Sequence, residues 1–244
     1  MIQGLTLATQ GMTIMAQKQD EISNNLANIN TTGYKSSGLF AKSFEKYMSN
    51  DKKEVFANRE IKADNVFINY SQGPALKTSN DLDLMIQGTG FFTVQTPQGA
   101  RFTRNGNFSI DSQGYLVTSD GNKVVGNTGA IRIDPKLGTV TVNKDGEVMQ
   151  SNISRGTLMI SDFVKPYNMS RDGSSLFKPL PDDAKPVASK GFAVMQGFLE
   201  GSNVSPVRSM VEMIATYRNF ESDQKALQAQ DSTLDKAVNV VAKM

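Results

Sequence analysis

Leu5, Ala8, Met12, Met15, Gln19, Ile22, Leu26 and Ile29 succeed one another at alternating spacings of three and four, the a/d seam of a heptad with one polar interruption. The pattern predicts a long N-terminal helix in need of a partner. Asn30, Thr31, Thr32 and Gly33 follow. Asn and Thr bond to nearby backbone and Gly accepts the left-handed conformation, so the helix is expected to stop between Ile29 and Thr32. The same period returns at Met210, Met213, Tyr217, Phe220, Gln224, Leu227, Asp231, Leu234, Val238 and Val241. Ser205 supplies an N-cap and Pro206 a first-turn proline for this second helix. Two seams of equal period at opposite ends of a chain are expected to pair as a coiled-coil-like hairpin.

Between them the period changes to alternation, at Phe108 to Asp111, Tyr115 to Thr118, Ile131 to Asp134, Val140 to Asn143 and Leu158 to Ile160. Turn signals separate these runs: Asn105 with Gly106, Ser112 to Gly114, Asp120 with Gly121, and Lys144 to Gly146, which together predict an antiparallel β domain. The fold class is therefore α+β, an all-β domain inserted into a helical hairpin. The expected domains are 1–35 with 200–244 as a helical assembly domain, 36–65 as a connector and 66–199 as the β domain. Residues 51–65 carry eight charges, four of each sign, and 166–186 hold four of the eight prolines. The first stretch reads as a solvated loop and the second as interrupted structure.

Composition narrows the chemistry. Among 244 residues there is no His and no Cys, which removes Ser-His-Asp and Cys-His catalysis, disulfides and the usual transition-metal ligand sets. A net charge of +2 gives no broad positive field for nucleic acid. The first basic residue is Lys18 and no run of about 18 apolar residues occurs, so the expectation is a chain with neither a cleaved signal nor membrane insertion.

The remaining candidates are weak. Gln87 to Gly90 contains a GxG, but Phe91 to Val94 reads as strand where a dinucleotide site needs a helix. Asp81 with Asp83, and Asp182 with Asp183, are the close Asp pairs; a carboxylate hydrolase would need a cleft and a positioning group besides. Asn143 to Glu147 leaves a calcium loop incompletely filled and is better read as a hairpin. Arg101, Phe102, Arg104 and Phe108 interleave charge and aromatics as single-strand binders do, but are expected to face a core or a protein neighbour. No catalytic, cofactor or metal residue is assigned. A ligand-binding β module with helical arms is the other non-catalytic alternative.

The helices carry more weight. Ile2, Leu7, Ile14, Val207, Val211, Ile214 and Val240 lie off the seams, apolar surface that a single helix pair would leave wet. Further helices are needed, and copies of the chain or related subunits can supply them. Heterologous contacts of that kind generate rings or filaments. The expected assembly residues are Leu5, Met12, Met15, Ile22, Leu26, Ile29, Met210, Met213, Tyr217, Phe220, Leu227, Leu234 and Val238.

Ser23 to Lys35, reading SNNLANINTTGYK, resembles the N-terminal signature of the flagellar basal-body rod proteins. Asp83 to Phe92, Phe102 to Phe108 and Gly114 to Val117 are similar to the β core of that family, and Gly197 to Val204 and Met213 to Lys225 to its C-terminal region. The matched motif positions are Asn24, Asn25, Leu26, Asn28, Thr32, Gly33, Tyr34, Ser202, Asn203 and Val204, with Asn24, Asn25, Asn28 and Gly33 shaping the helix end. The resemblance implies a non-enzymatic structural subunit without cofactors, exported by the flagellar type III apparatus. Its copies would stack with other axial proteins into the periplasm-spanning rod, with the helices forming the inner tube around the export channel. Val124 to Ile131 resembles the proximal kind of rod subunit, and the glycine-rich insertion typical of the distal kind between 36 and 75 is lacking.

Overall fold

A computed structural model of the protein describes residues 2–44, 60–134, 137–165, 167–173, 175–180, 186–189 and 191–241, with the side chains of 2–7, 40–44, 60–65, 234, 237, 238, 240 and 241 excepted. Helix α1 spans Ile2–Ala27 and helix α2 spans Pro206–Val241; the other regular elements among the described residues are strands. Both helix boundaries have local causes. The Thr31 hydroxyl and amide turn back onto Asn28 just after α1, and Pro206 opens α2 while the Ser205 carbonyl accepts the Ser209 amide at 2.9 Å, a proline at the first helical position. The chain divides into two compact units.

The first unit holds 1–27, 36–69 and 204–244. Here α1 packs along α2 and also against an antiparallel ribbon of Ser37–Phe44 and Glu60–Ile68. A two-stranded ribbon is marginal alone, and α1 anchors it. The Asn25 side chain brackets Ser37, donating to its carbonyl at 2.7 Å and accepting its amide at 2.9 Å, and Glu21 accepts the Ser37 hydroxyl at 2.6 Å. Residues 60–65 of the expected charged loop are thus strand; 51–59 lie outside the described residues.

The second unit holds 28–35 and 70–203. Its main sheet is antiparallel, in the spatial order Met169–Asp172, Leu176–Pro179, Gly99–Thr103, Phe91–Thr96, Lys123–Gly126, Leu116–Thr118, Phe108–Ile110. A three-stranded sheet of Val140–Val142, Glu147–Gln150 and Ile153–Thr157 lies in the same unit, as do the pairs Leu84–Gln87 with Ala193–Gln196 and Ala75–Lys77 with Phe198–Glu200. The strand Phe91–Thr96 is covered on both faces over its first four residues, so the neighbours Phe91 and Phe92, which point to opposite faces, are both buried. Phe92 and Val94 enter a core with Leu84, Ile86, Phe108 and Val124. Phe91 points into an aromatic cluster with Tyr70, Phe163, Tyr167 and Phe177.

The turn at Asn105 requires its glycine, because a Cβ on Gly106 would overlap the Leu84 carbonyl. The proline-bearing stretch is more regular than expected, since Met169–Asp172 and Leu176–Pro179 form a hairpin. Pro179 is tolerated at its end because the pairing with Gly99–Thr103 involves only Leu176 and Phe177, so no ladder donor is missed on that side.

Candidate assembly interface

The face α2 buries repeats at Ser209, Met213, Thr216, Phe220, Asp223 and Leu227, all buried or half-buried. The heptad spacing is the expected one, but the seam runs one position earlier at three steps: Ser209, Thr216 and Asp223 occupy the places expected for Met210, Tyr217 and Gln224. Small side chains at the first two let a neighbouring element approach closely. Met210 and Tyr217 instead join Val207, Val211 and Ile214 in an outward stripe that is 51–72% exposed. At about 100° per residue, that stripe is centred roughly 135° around the helix from the seam. It ends in charge, as Arg218, Glu221 and Lys225 continue the same line. The Lys225 ammonium lies 2.7 Å from Glu221 and holds that exposed carboxyl below the usual carboxylate range.

On α1, Ile14 and Ile22 are buried and Met12, Met15 and Leu26 half-buried, as is Ile29 just beyond its end. Ile14, off the expected seam, is buried on a helix that packs against two neighbours, α2 and the ribbon. The side chains of Leu5, Leu234 and Val238 lie outside the described residues. A hollow of about 220 Å³ opens between Met15, Ala16, Gln19 and Asp20 of α1 and Thr216, Tyr217 and Phe220 of α2. At its edge the buried Gln19 Oε1 has no hydrogen-bond partner.

The motif positions fall into two groups. Asn25 and Leu26 belong to the helical unit. Asn24 is exposed on α1, and Val204 begins the segment that leads into α2. Asn28, Thr32, Gly33, Tyr34, Ser202 and Asn203 belong to the β unit, whose entering and leaving segments also carry a buried ionic cluster. Lys35 Nζ lies 2.5 Å from Glu200 Oε1 and donates to the Ser71 carbonyl at 2.7 Å. Arg104 reaches Glu200 Oε2 at 3.2 Å, and the Gly73 amide donates to Oε1 at 2.9 Å. Lys35 and Glu200 are 1% and 0% exposed. Burial lowers the Lys35 pKa below the lysine norm, and the Glu200 carboxylate opposes that shift.

Backbone contacts tie the incoming and outgoing chain together around the cluster. The Gly33 amide donates to the Glu200 carbonyl at 2.7 Å and the Asn203 amide to the Tyr34 carbonyl at 3.4 Å. Gly33 has φ of +70°, and a Cβ there would overlap the Asn105 amide. The Thr32 hydroxyl bonds Asn105 Oδ1 at 2.8 Å, while Arg171 donates to the Lys35 carbonyl and lies 4.2 Å over the Tyr34 ring. Sequence reasoning passed over Lys35, Arg104 and Glu200 as site residues. The available signal was a charge closing each of two short strands, Arg104 just after Gly99–Thr103 and Glu200 at the end of Phe198–Glu200, but nothing in one dimension pairs them.

The other candidates resolve structurally. Asp81 is exposed whereas Asp83 is buried and bonded by Asn80 at 3.1 Å, so the two do not share a cleft; Asp182 and Asp183 lie outside the described residues. Gln87 to Gly90 leads into the strand Phe91–Thr96. Asn143 to Glu147 is a hairpin turn closed by the Asn143 amide on the Glu147 carbonyl at 2.9 Å. Arg101, Phe102, Arg104 and Phe108 are buried, Arg101 against Asp172 at 2.6 Å. Among the described residues no group of three acidic, His or Cys side chains is placed to hold a metal, and no helix is long and apolar enough to cross a membrane.

Two long helices with apolar surface on more than one face, in one chain with a β unit whose buried charged residues pair within it, define a structural class of protein. Comparison with known families gives the same answer in particular terms. The family described as flagella basal body rod protein matches residues 5–35, the flagellar hook protein FlgE/F/G D1 domain matches 85–150, and the flagellar basal body rod FlgEFG protein C-terminal region matches 195–240. The flagellar basal-body rod protein FlgF of Caulobacter vibrioides is 35% identical over 235 residues, covering 94% of this chain and 93% of that protein. FlgF of Mesorhizobium japonicum is 29% identical with 97% of both covered, and FlgG of Borreliella burgdorferi 33% identical with 98% and 99% covered.

The chain belongs to the flagellar basal-body rod protein family, a component of the bacterial flagellum. Within it FlgF is favoured over FlgG. The FlgF alignments span 235 and 240 positions, whereas that to the Borreliella FlgG needs 271 against the 244 residues here. FlgG therefore carries residues for which this chain has no counterpart.

Proposed function

We propose that this chain is a proximal-type rod subunit that self-assembles through its terminal helices into a helical tube around the export channel and transmits torque across the periplasm. The carrying observation is the outward stripe of α2, Val207, Met210, Val211, Ile214 and Tyr217, on the face away from the seam. Each such side chain gains roughly 1.5–3 kcal/mol on full burial, and a contiguous exposed apolar patch marks an interaction surface. Tyr217 belongs both to this stripe and to the hollow between α1 and α2, so the apolar surface runs from the outward face of α2 towards α1, and contacts between unlike parts of it on neighbouring copies are of the heterologous kind that propagates. In this reading the paired helices, coiled-coil-like, form the assembly domain, with Leu5, Leu234 and Val238 extending the interface. The β unit is the inserted outer domain, and the partners are copies of the chain, other axial proteins and the type III export apparatus.

The test is Val211→Asp or Ile214→Asp. Either variant is expected to remain folded, within about 0.5 kcal/mol of wild type by denaturant melt, and to fail to polymerise or to restore motility. A variant that still enters rods would overturn the assignment of the stripe.

A further inference from the structure

The chain first enters the β unit through Asn28–Lys35, passes through the ribbon of the helical unit over 36–69, re-enters at Tyr70 and finally leaves through Glu200–Asn203, and the first and last of these segments are bonded to each other. The backbone bonds pair Gly33 with Glu200 and Tyr34 with Asn203, so both partners advance in the same sense along the sequence. The two segments run parallel. Lys35, one residue on, is pinned to Glu200 and to the Ser71 carbonyl, and the Asn203 side chain donates to the Ser71 carbonyl and hydroxyl at 3.1 Å each. Arg104 holds the second Glu200 oxygen from the sheet.

We infer that this seam is a mechanical clamp: a parallel, ion-pinned junction of the first and last segments of the β unit that bears load in shear when the chain is pulled by its ends. Tension pulls the first segment from its N-terminal side and the last from its C-terminal side. With parallel segments that geometry loads every cross-bond at once; antiparallel segments would open one bond at a time. The strongest bonds sit at the loaded seam, because hydrogen bonds to charged groups exceed neutral ones, and burial keeps water from competing for Glu200. Behind the clamp the rest of the unit is shielded from tension until the seam parts. The inference rests on the single molecule and stands or falls independently of how subunits assemble.

The experiment is single-molecule stretching of the full chain held at its two ends. The clamp requires the β unit to open in one event that releases its stretch from Tyr70 to Glu200, on the order of 400–500 Å of contour at full extension, with 36–69 adding roughly 100 Å more where the ribbon has already parted. Glu200→Gln is expected to open on the order of tenfold to a hundredfold faster at constant force, the effect of weakening charge-assisted bonds that must break at the barrier. Asn203→Ala, at the rim of the seam, provides the same test in milder form should Glu200→Gln not fold. Asp172→Asn removes the partner of Arg101 in the Met169–Asp172 hairpin; it is expected to lower thermal stability while leaving the opening rate under force at the wild-type value. Stepwise unravelling of the wild-type β unit, or wild-type opening rates in both seam variants, would overturn the clamp.

Discussion

Lys35 is the residue on which the buried chemistry turns, and it titrates in a useful direction. Burial disfavours its ammonium more than Glu200 favours it, so its pKa in the folded protein lies below the ordinary 10.5. Below the folded pKa both states carry the proton and the desolvation cost is constant. Between the folded and unfolded values the unfolded chain binds more protons, and stability attributable to this group rises with pH. Tyr167, pushed up to about 12 by burial and its bond to Asp162, works the other way above pH 10, so the comparison must be internal. Urea melts of wild type and Lys35→Met between about pH 8 and 10.5 isolate the lysine. The wild-type-minus-variant stability difference is expected to grow more favourable to wild type as pH rises, and a flat difference would show that Lys35 titrates as it does in water. None of this was legible beforehand. The signature drew attention to its asparagines and glycine, which read as a helix end; the basic residue closing it gains its role only from a carboxylate 165 positions away.

At the scale of elements, the period of three and four located both helices and the Ser205 and Pro206 start of the second, because those signals are local. It placed the α2 seam one position off at three steps, since Ser209, Thr216 and Asp223 fit a heptad as well as Met210, Tyr217 and Gln224 do, and apolarity favours Met210 and Tyr217. In a helix that serves two interfaces the most hydrophobic face need not be the one the monomer buries. The ribbon of Ser37–Phe44 and Glu60–Ile68 escaped detection for a related reason. Glu60 to Asp64 does alternate polar and apolar, but the eight charges of 51–65 read as a solvated loop, and the anchoring of Ser37 by Asn25 and Glu21 of α1 leaves no mark in the strands' own pattern. The two faces of α2 can be separated at adjacent residues. Thr216 is 2% exposed and Tyr217 63% exposed. Thr216→Lys buries an unpaired charge and is expected to cost more than about 2 kcal/mol in helix melting followed by circular dichroism. Tyr217→Lys is expected to change monomer melting by less than about 0.5 kcal/mol while weakening polymerisation. The reverse ranking would restore Tyr217 to the internal seam.

For the whole molecule, the boundary between units follows the packing and not the order of elements. The antiparallel β unit was readable from its alternating runs and turn residues, yet a contiguous block of 66–199 omits Gly33, Tyr34 and Lys35, and it stops one residue short of Glu200. Those residues are integral to the unit: Tyr34 is 1% exposed within it, and a chain that lacks 28–35 leaves Glu200 buried without Lys35, one of its two cationic partners. Breaking a buried pair by deleting one side costs about 3–5 kcal/mol. For a unit of this size, that lowers the melting temperature by roughly 10 °C or more. Chains beginning at residue 28 and at residue 36 make the comparison directly, since both lack α1 and differ only in the segment that carries Lys35. Calorimetry is expected to show the β-unit transition at a distinctly higher temperature in the longer chain. Equal transitions would mean that Asn28–Lys35 merely lies against a unit already complete, and the helices and the β unit would then be joined by a simple tether rather than by a segment folded into one of them.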